Sequence, residues 1–285
     1  MISPLRPDGP GAGWGGLTFL RMAPPCAAPV SADETIRPPS RALLALEGRA
    51  WLEFAALFPA LPVLARAPRG DGHPVLVLPG WLASDRSTWA LRRFLRDRGY
   101  WVHGWRLGRN LGPSADTVAG LGRRFAALRA RHGRKVSLIG WSLGGIYARE
   151  LGRRFPDAVR QVITLASPFR DPRAANLGRV SHPPHLGDRD GLYERLRAPL
   201  PVPSTSVYSR SDGIVAWRSC LDDQGPLREN VEVWSSHCGM GHHPAVLLVI
   251  ADRLAQADGA WRPFVPPGWS RWPFLGALAP ASAGQ

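Results

Sequence analysis

Val136-Ser137-Leu138-Ile139-Gly140-Trp141-Ser142-Leu143-Gly144-Gly145-Ile146-Tyr147-Ala148-Arg149-Glu150-Leu151 decides how this chain folds. Val136 to Ile139 is a short apolar run that reads as a buried strand, and Gly145 to Leu151 reads as a helix. Between them lies a Gly-x-Ser-x-Gly pentapeptide. A strand feeding a tight turn feeding a helix is the context in which such a turn lifts a serine hydroxyl above the sheet edge. Residues two before and two after the serine come too close for side chains, which is why Gly140 and Gly144 stand there. The helix start aims its free N–H groups at the same spot. A bare Gly-x-Ser-x-Gly is weak evidence in a chain with 31 glycines; the flanking strand and helix give it weight.

Working outward, the same alternation recurs. Pro74 to Leu78, Tyr100 to Gly104, Val162 to Leu165, Ser206 to Tyr208 and Val231 to Trp234 read as strands. Helices are expected over Thr88 to Arg98, over Ala115 to Arg131 with Ser114 as N-cap and Val118, Leu121, Phe125 and Leu128 inward, and over Pro244 to Gln256 with Pro244 at the first position. Strands alternating with helices predict a mostly parallel central sheet flanked by helices, with right-handed crossovers. One stretch breaks the rhythm: 169–202 is rich in Pro, Arg and Gly, with a short helix near Leu192 to Leu196. It reads equally as a cap insertion over the site and as a surface excursion.

The expected organisation is a Pro/Gly/Ala-rich disordered segment over 1–38, one or two amphipathic helices within 39–66, an α/β domain over 67–258, and a Pro/Trp-rich tail over 259–285. Met22 is an alternative start. In the amphipathic stretch Glu47, Arg49 and Glu53 leave a modest apolar stripe, which favours packing on the domain over an interfacial membrane helix. The tail carries Trp261, Phe264, Trp269, Trp272 and Phe274; an arm packed along the domain is the favoured reading, and it is the feature that keeps peripheral membrane contact open.

Composition bounds the function classes. The 285 residues, 45% hydrophobic, suffice for one large core. The net charge of +14 and pI of about 11.2 reflect arginine almost alone, since Lys135 is the sole lysine. The basic residues are scattered over polar helix faces without a nucleic-acid motif, so a nucleic-acid partner is not expected. Cys26, Cys220 and Cys238 form no disulfide framework and no zinc spacing. Cys238 reads as a buried small residue. No secretory signal or transmembrane helix is evident, so a cytoplasmic location is expected, with peripheral contact at a membrane surface left open.

A serine hydroxyl needs a base, and the base an orienting acid. The histidine expected is His237, just past the last strand; His242 and His243, at the start of the final helix, rank second and read as pocket-lining or capping residues. The acid expected is Asp212, on the turn after Ser206 to Tyr208. Its rivals Asp222 and Asp223 have no strand directly before them. The oxyanion hole needs two backbone N–H groups, for which Leu143 and Trp81 are the candidates, with Gly80 letting the backbone approach. Trp81, Trp89, Trp105 and Trp141 either line an apolar pocket or pack in the core.

With these residues in view, the chain over roughly 73 to 257 resembles the α/β-hydrolases of the esterase/lipase kind. Leu78-Pro79-Gly80-Trp81 resembles the His-Gly loop of lipases with Pro in place of His. Ile139 to Gly145 resembles the lipase elbow, Ser209 to Val215 the acid turn, and Ser236-His237-Cys238-Gly239-Met240 the histidine loop. Gly104 to Asn110 is similar to bacterial relatives of GPI inositol-deacylases. The resemblance implies a serine hydrolase cleaving carboxylic esters through an acyl-enzyme on Ser142, with an acyl ester or lipid as substrate, no metal and no organic cofactor. An acyltransferase or thioesterase with the same triad, and a non-catalytic binding protein of the same fold, are the alternatives.

Overall fold

The computed structural model describes residues 36–176 and 191–266. Six strands form one sheet: β1 (Pro74–Leu78), β2 (Trp101–Gly104), β3 (Val136–Trp141), β4 (Val159–Leu165), β5 (Ser204–Tyr208) and β6 (Arg228–Glu232). Their order is β2-β1-β3-β4-β5-β6, and every neighbouring pair is parallel. Such a sheet is buried on both faces, which explains why β1 and β4 are unbroken apolar or buried runs rather than alternating ones.

Alternate side chains serve opposite layers. Val75 and Val77 face a core shared with α3 (Leu57–Leu64), α4 (Trp89–Asp97) and the C-terminal α8 (Pro244–Ala255). Leu76 and Leu78 face a core shared with α5 (Ala115–His132), α6 (Leu143–Arg154) and the short α7 (Leu192–Arg197). α8 lies so deep that ten of its residues are buried. Ser114 caps α5 by accepting the Thr117 N–H at 3.1 Å, and Gly133 ends it with φ 61°. Val118, expected inward, is 52% exposed; Gly120 takes the inward position instead, against Leu107.

Two further expectations need correction. The last strand begins at Arg228 rather than Val231, because it is the sheet edge: its polar first residues pair with Ser204 to Ser206 and need no apolar alternation. The amphipathic segment is α1 (Arg41–Ala45), a 3₁₀ turn (Leu46–Arg49), α2 (Ala50–Ala55) and α3. Its polarity is inverted relative to the sequence reading. Glu47 and Glu53 are buried, whereas Trp51, Leu52, Phe58 and Leu61 are exposed.

The order of strands reverses between β1 and β3, since the chain steps outward to β2 before returning. In parallel sheets ligands gather outside the carboxyl ends of the strands at this switch point. The loop after β1 and the turn after β3 flank it here. The irregular stretch follows β4; its middle (177–190) lies outside the described residues, as do 1–35 and 267–285, with Cys26, Trp269, Trp272 and Phe274. Where the tail is described, Phe264 packs against the α8 core and its N–H donates to Glu229 at 2.6 Å.

Candidate active site

Ser142 sits between β3 and α6 with φ 53° and ψ −122°, a left-handed conformation that costs energy for any side chain. Close packing holds it there. A Cβ at Gly140 would collide with the Gly144 carbonyl, and a Cβ at Gly144 would collide with the Leu78 carbonyl. The Ser142 N–H donates to Leu165 O at 2.8 Å, and Ser167 Oγ donates to the Ser142 carbonyl at 2.7 Å. The end of β4 and the residues just after it therefore clamp the turn through both of its backbone groups.

Asp212 lies on the loop after β5 and is buried. Its Oδ1 accepts the N–H groups of Ile214 at 2.8 Å and Val215 at 2.7 Å. Its Oδ2 lies 2.7 Å from His237 Nδ1. His237 follows β6, and the Trp141 indole N–H donates to its carbonyl at 3.2 Å. Burial drives the imidazole pKa down, but the Asp212 carboxylate, and behind it Glu47, outweigh burial, and the net direction is upward from 6.5. Ser142 and His237 share the wall of one cavity of about 220 Å³, lined also by Gly80, Trp81, Trp141, Leu143, Ile146 and Ile214. Pro168, Pro172 and Ala175, from the start of the stretch after β4, form another wall. Among the described residues no hydrogen bond joins Ser142 Oγ to His237, an arrangement common before substrate closes such a site.

Leu143 is the first residue of α6, so its N–H has no intrahelical acceptor. Trp81 faces the same cavity from the β1 loop. Gly80 brings this loop against Ser142: a Cβ there would stand 3.2 Å from the serine Cβ. Asn110, which sequence reasoning quoted only as part of a resemblance, is wholly buried and anchors the loop. Its Nδ2 donates to Pro79 O at 2.9 Å, and its carbonyl accepts the Leu82 N–H at 2.7 Å. The buried side-chain amide thus holds the loop that carries proline in place of histidine, and the Asn110 main chain holds Leu82, at φ 58°.

The rival residues have other partners. Asp222 pairs with Arg149 at 2.6 Å, each side chain 1% exposed, and Asp223 pairs with Arg170. His243 caps α8, accepting the Ala245 N–H at 3.2 Å, and His242 Nε2 lies 3.0 Å from Ala50 O. Of the four tryptophans, Trp81 and Trp141 line the cavity, Trp105 is core and Trp89 is exposed. Cys238, expected buried, is an exposed residue; partial desolvation, with the Glu47 carboxylate beside the thiol, pushes its pKa up to about 12. It stands in the wall of both the cavity and a second one of about 480 Å³ bounded by Trp51, Phe54 and His242.

A second Ser-His-Asp contact exists at the opposite end of the sheet. His73 Nε2 lies 2.8 Å from Ser137 Oγ, and Nδ1 meets Asp71. Both His73 and Ser137 are fully buried, and burial holds the imidazole at a pKa of about 4. The same three residue types without an opening make a structural pin. Among the described residues no cluster of three or more His, Cys, Asp or Glu is arranged to hold a metal ion, and no helix is long and apolar enough to cross a membrane.

No family model matches the sequence, and no curated protein sequence does. Solved structures do match. Lipase BlEst2 of Bacillus licheniformis in its propeptide form is 16% identical, with 70% of this chain and 54% of that chain covered and a TM-score of 0.50. A structure described with the metagenome-derived lipolytic enzymes LipS and LipT is 16% identical over 66% of this chain and 93% of that one, at a TM-score of 0.49. A pyrethroid hydrolase from Sphingobium faniae JZ-2 is 20% identical over 64% and 97%, at 0.46. The narrower resemblance to GPI inositol-deacylase relatives gains no support from these matches. At such identities the likeness is one of fold, and with its single parallel sheet and flanking helices this chain has the α/β-hydrolase fold.

Proposed function

We propose that this protein is a serine hydrolase that cleaves carboxylic esters through an acyl-enzyme on Ser142. The observation that carries the reading is the 2.7 Å contact of His237 Nδ1 with the buried Asp212, on the wall of the cavity that holds Ser142 in its strained turn. In this reading Ser142 Oγ attacks the acyl carbon while His237 Nε2 takes the hydroxyl proton. The Leu143 and Trp81 N–H groups receive the charge that develops on the acyl oxygen. The tetrahedral adduct then collapses. Its bond to the alcohol oxygen breaks, and His237 returns the proton to the departing alcohol. Water, deprotonated by the same imidazole, releases the acid and restores Ser142. Asp212 fixes the Nδ1–H tautomer and offsets the imidazolium charge. No step calls on a metal or organic cofactor.

The cavity lining is mostly apolar, which favours esters with apolar acyl groups or lipids as substrates. Residues 67–258 form the catalytic domain in this reading, and the stretch after β4 borders the substrate. An acyltransferase or thioesterase would use the same residues with a different nucleophile in the second half-reaction.

The test is labelling of the purified protein by a fluorophosphonate beside its Ser142→Ala variant, followed by turnover of p-nitrophenyl esters of rising chain length. Labelling and turnover are expected in the wild type, with kcat reduced by about 10⁵–10⁶ in Ser142→Ala and the fold retained. Unlabelled, folded wild type refutes the reading and favours a binding protein.

A further inference from the structure

Two buried carboxylates in the segment before the sheet take no part in the mechanism above, yet they hold its loops. Glu47, in the 3₁₀ turn, accepts three backbone N–H groups. Its Oε1 takes those of Gly213 at 2.7 Å and His237 at 2.9 Å, and its Oε2 takes that of Cys238 at 2.9 Å. Gly213 is the residue after the acid, and His237 is the base. One carboxylate therefore ties the acid loop to the base loop. Glu53 secures the approach to the histidine: its Oε1 accepts the Ser236 N–H at 2.8 Å, and its Oε2 accepts the hydroxyls of Ser235 at 3.1 Å and Ser236 at 2.8 Å. Arg49 joins Glu53 at 3.2 Å to the acid loop, donating to Ser211 O at 2.7 Å and Ser211 Oγ at 2.9 Å.

The sheet fixes only the roots of these loops, which leave neighbouring strands. The contact between Asp212 and His237 needs a cross-brace, and a carboxylate receiving several N–H groups makes a strong one. Its own burial opposes the charge, but the three amides overcome this and hold the Glu47 pKa below 4.5, so it stays ionised. Among the described residues it forms no ion pair, so its charge is turned toward the histidine loop rather than neutralised by a cation.

We propose that Glu47 is a positioning residue for the Asp212–His237 pair: it holds the acid and base loops in register with each other and sets a second negative charge behind the imidazole. The inference rests on the serine hydrolase reading. The groups facing His237 are Asp212 from the acid loop, Glu47 and the Glu53–Arg49 pair from the N-terminal segment, and Cys238, His242 and His243 from its own loop. The Cys238 thiol is neutral; burial lowers the pKa of His242 and holds that of His243 at about 4, so both are neutral at pH 7. Asp212 and Glu47 are then the uncompensated charges that favour the imidazolium.

The test uses full-length wild type, Glu47→Gln and Glu47→Ala. Turnover of p-nitrophenyl butyrate is normalised to fluorophosphonate-labelled sites, and the His237 imidazole is titrated by NMR with His237→Asn for assignment. Glu47→Gln keeps the size of the side chain and loses its charge. It also turns an amide N–H toward a backbone N–H that the carboxylate accepted, so it is expected to fold but melt modestly below wild type, to lower kcat with little change in KM, and to move both the NMR pKa of His237 and the acid limb of the kcat/KM profile to lower pH. Glu47→Ala is expected to lower kcat per labelled site by about 10²-fold, the scale of a misplaced catalytic group. Wild-type kcat per labelled site together with an unmoved His237 titration in Glu47→Gln overturns the proposal. So does a Glu47→Ala loss explained wholly by fewer labelled sites. Wild type that neither labels nor turns over overturns the hydrolase reading instead, and the NMR titration still reports whether Glu47 acts on His237.

Discussion

Asp212 and Asp222 are both buried aspartates between the serine and the histidine in sequence, and their substitution should damage the protein in opposite ways. Asp222 meets Arg149 at 2.6 Å with both side chains 1% exposed, accepts Ser204 Oγ at 3.0 Å, and sits beneath a guanidinium stacked 3.8 Å from the Phe169 ring. Asp222→Ala leaves the Arg149 cation buried without its partner, which costs about 3–5 kcal/mol. In a domain of this size each kcal/mol lowers the melting temperature by about 2–4 °C. The expected fall is therefore about 6–20 °C, by calorimetry or near-UV circular dichroism, with kcat per labelled site near wild type below the transition. Asp212→Asn keeps the shape of the acid but removes its ability to fix the imidazole tautomer. Its expected signature is a kcat lower by about 10⁴, the loss seen for the equivalent change in a serine protease triad, and a smaller change in melting. An Asp222→Ala protein that melts within about 2 °C of wild type would refute the buried-pair reasoning. A collapse of kcat in Asp222→Ala alone would hand the acid role to the wrong aspartate.

The raised pKa of His237 gives kcat/KM an acid limb centred above pH 6.5, because only neutral imidazole accepts the serine proton; a midpoint below 6 in a pH-rate profile contradicts this. His73, held at about 4 by burial, stays neutral in the fold while the unfolded chain protonates near 6.5, so stability is complete above 6.5 and is lost as pH falls toward 4. The lost contribution is about 3 kcal/mol, and a His73→Gln variant should show a flatter melting temperature against pH over that window. Gly144→Ala forces a Cβ into the Leu78 carbonyl and should destabilise by about 2–3 kcal/mol as well as silence fluorophosphonate labelling; a labelled, stable variant would show that the turn yields where the packing says it cannot. Asn110→Ala removes the side-chain donor to the Pro79 carbonyl, leaving the main-chain bond to Leu82, and should lower kcat for p-nitrophenyl esters more than it raises KM; intact kcat would mean that the loop holds itself.

The elements legible in the sequence were those whose partners are close by along the chain. The elbow, the apolar β1 and the capped α5 each carry their own signal in spacing or composition. So does the order of Ser142, Asp212 and His237 along the chain, although only the folded chain brings Asp212 against His237. What escaped depends on how the folded chain is arranged rather than on local spacing, most plainly where the partner lies far away in sequence. Glu47 and Glu53 looked like a solvated face, because nothing local says that their acceptors will meet amides near positions 213 and 237. Arg228 to Asn230 did not look like strand because an edge strand needs no apolar alternation. Val118 has helical spacing yet faces out, since a glycine one turn's fraction away fits better against Leu107. Cys238 looked like filler because its exposure depends on the direction of a turn. Aspartates 212 and 222 were separable only by the positions of the strands that precede them.

The brace from Glu47 has a consequence for how the protein comes into being. Its acceptor carboxylate emerges early in synthesis, whereas its donors lie 166, 190 and 191 positions later. Closing so long a loop is slow, and domains form in the order in which their partners appear. The N-terminal segment must therefore wait, with its carboxylates solvated, until the last strand and the histidine turn have left the ribosome. Strands β1 to β4 and the serine turn that β4 holds can be in place before then. A segment made early is braced late, and the nascent chain carries the Ser142 turn before it carries a braced Asp212–His237 pair.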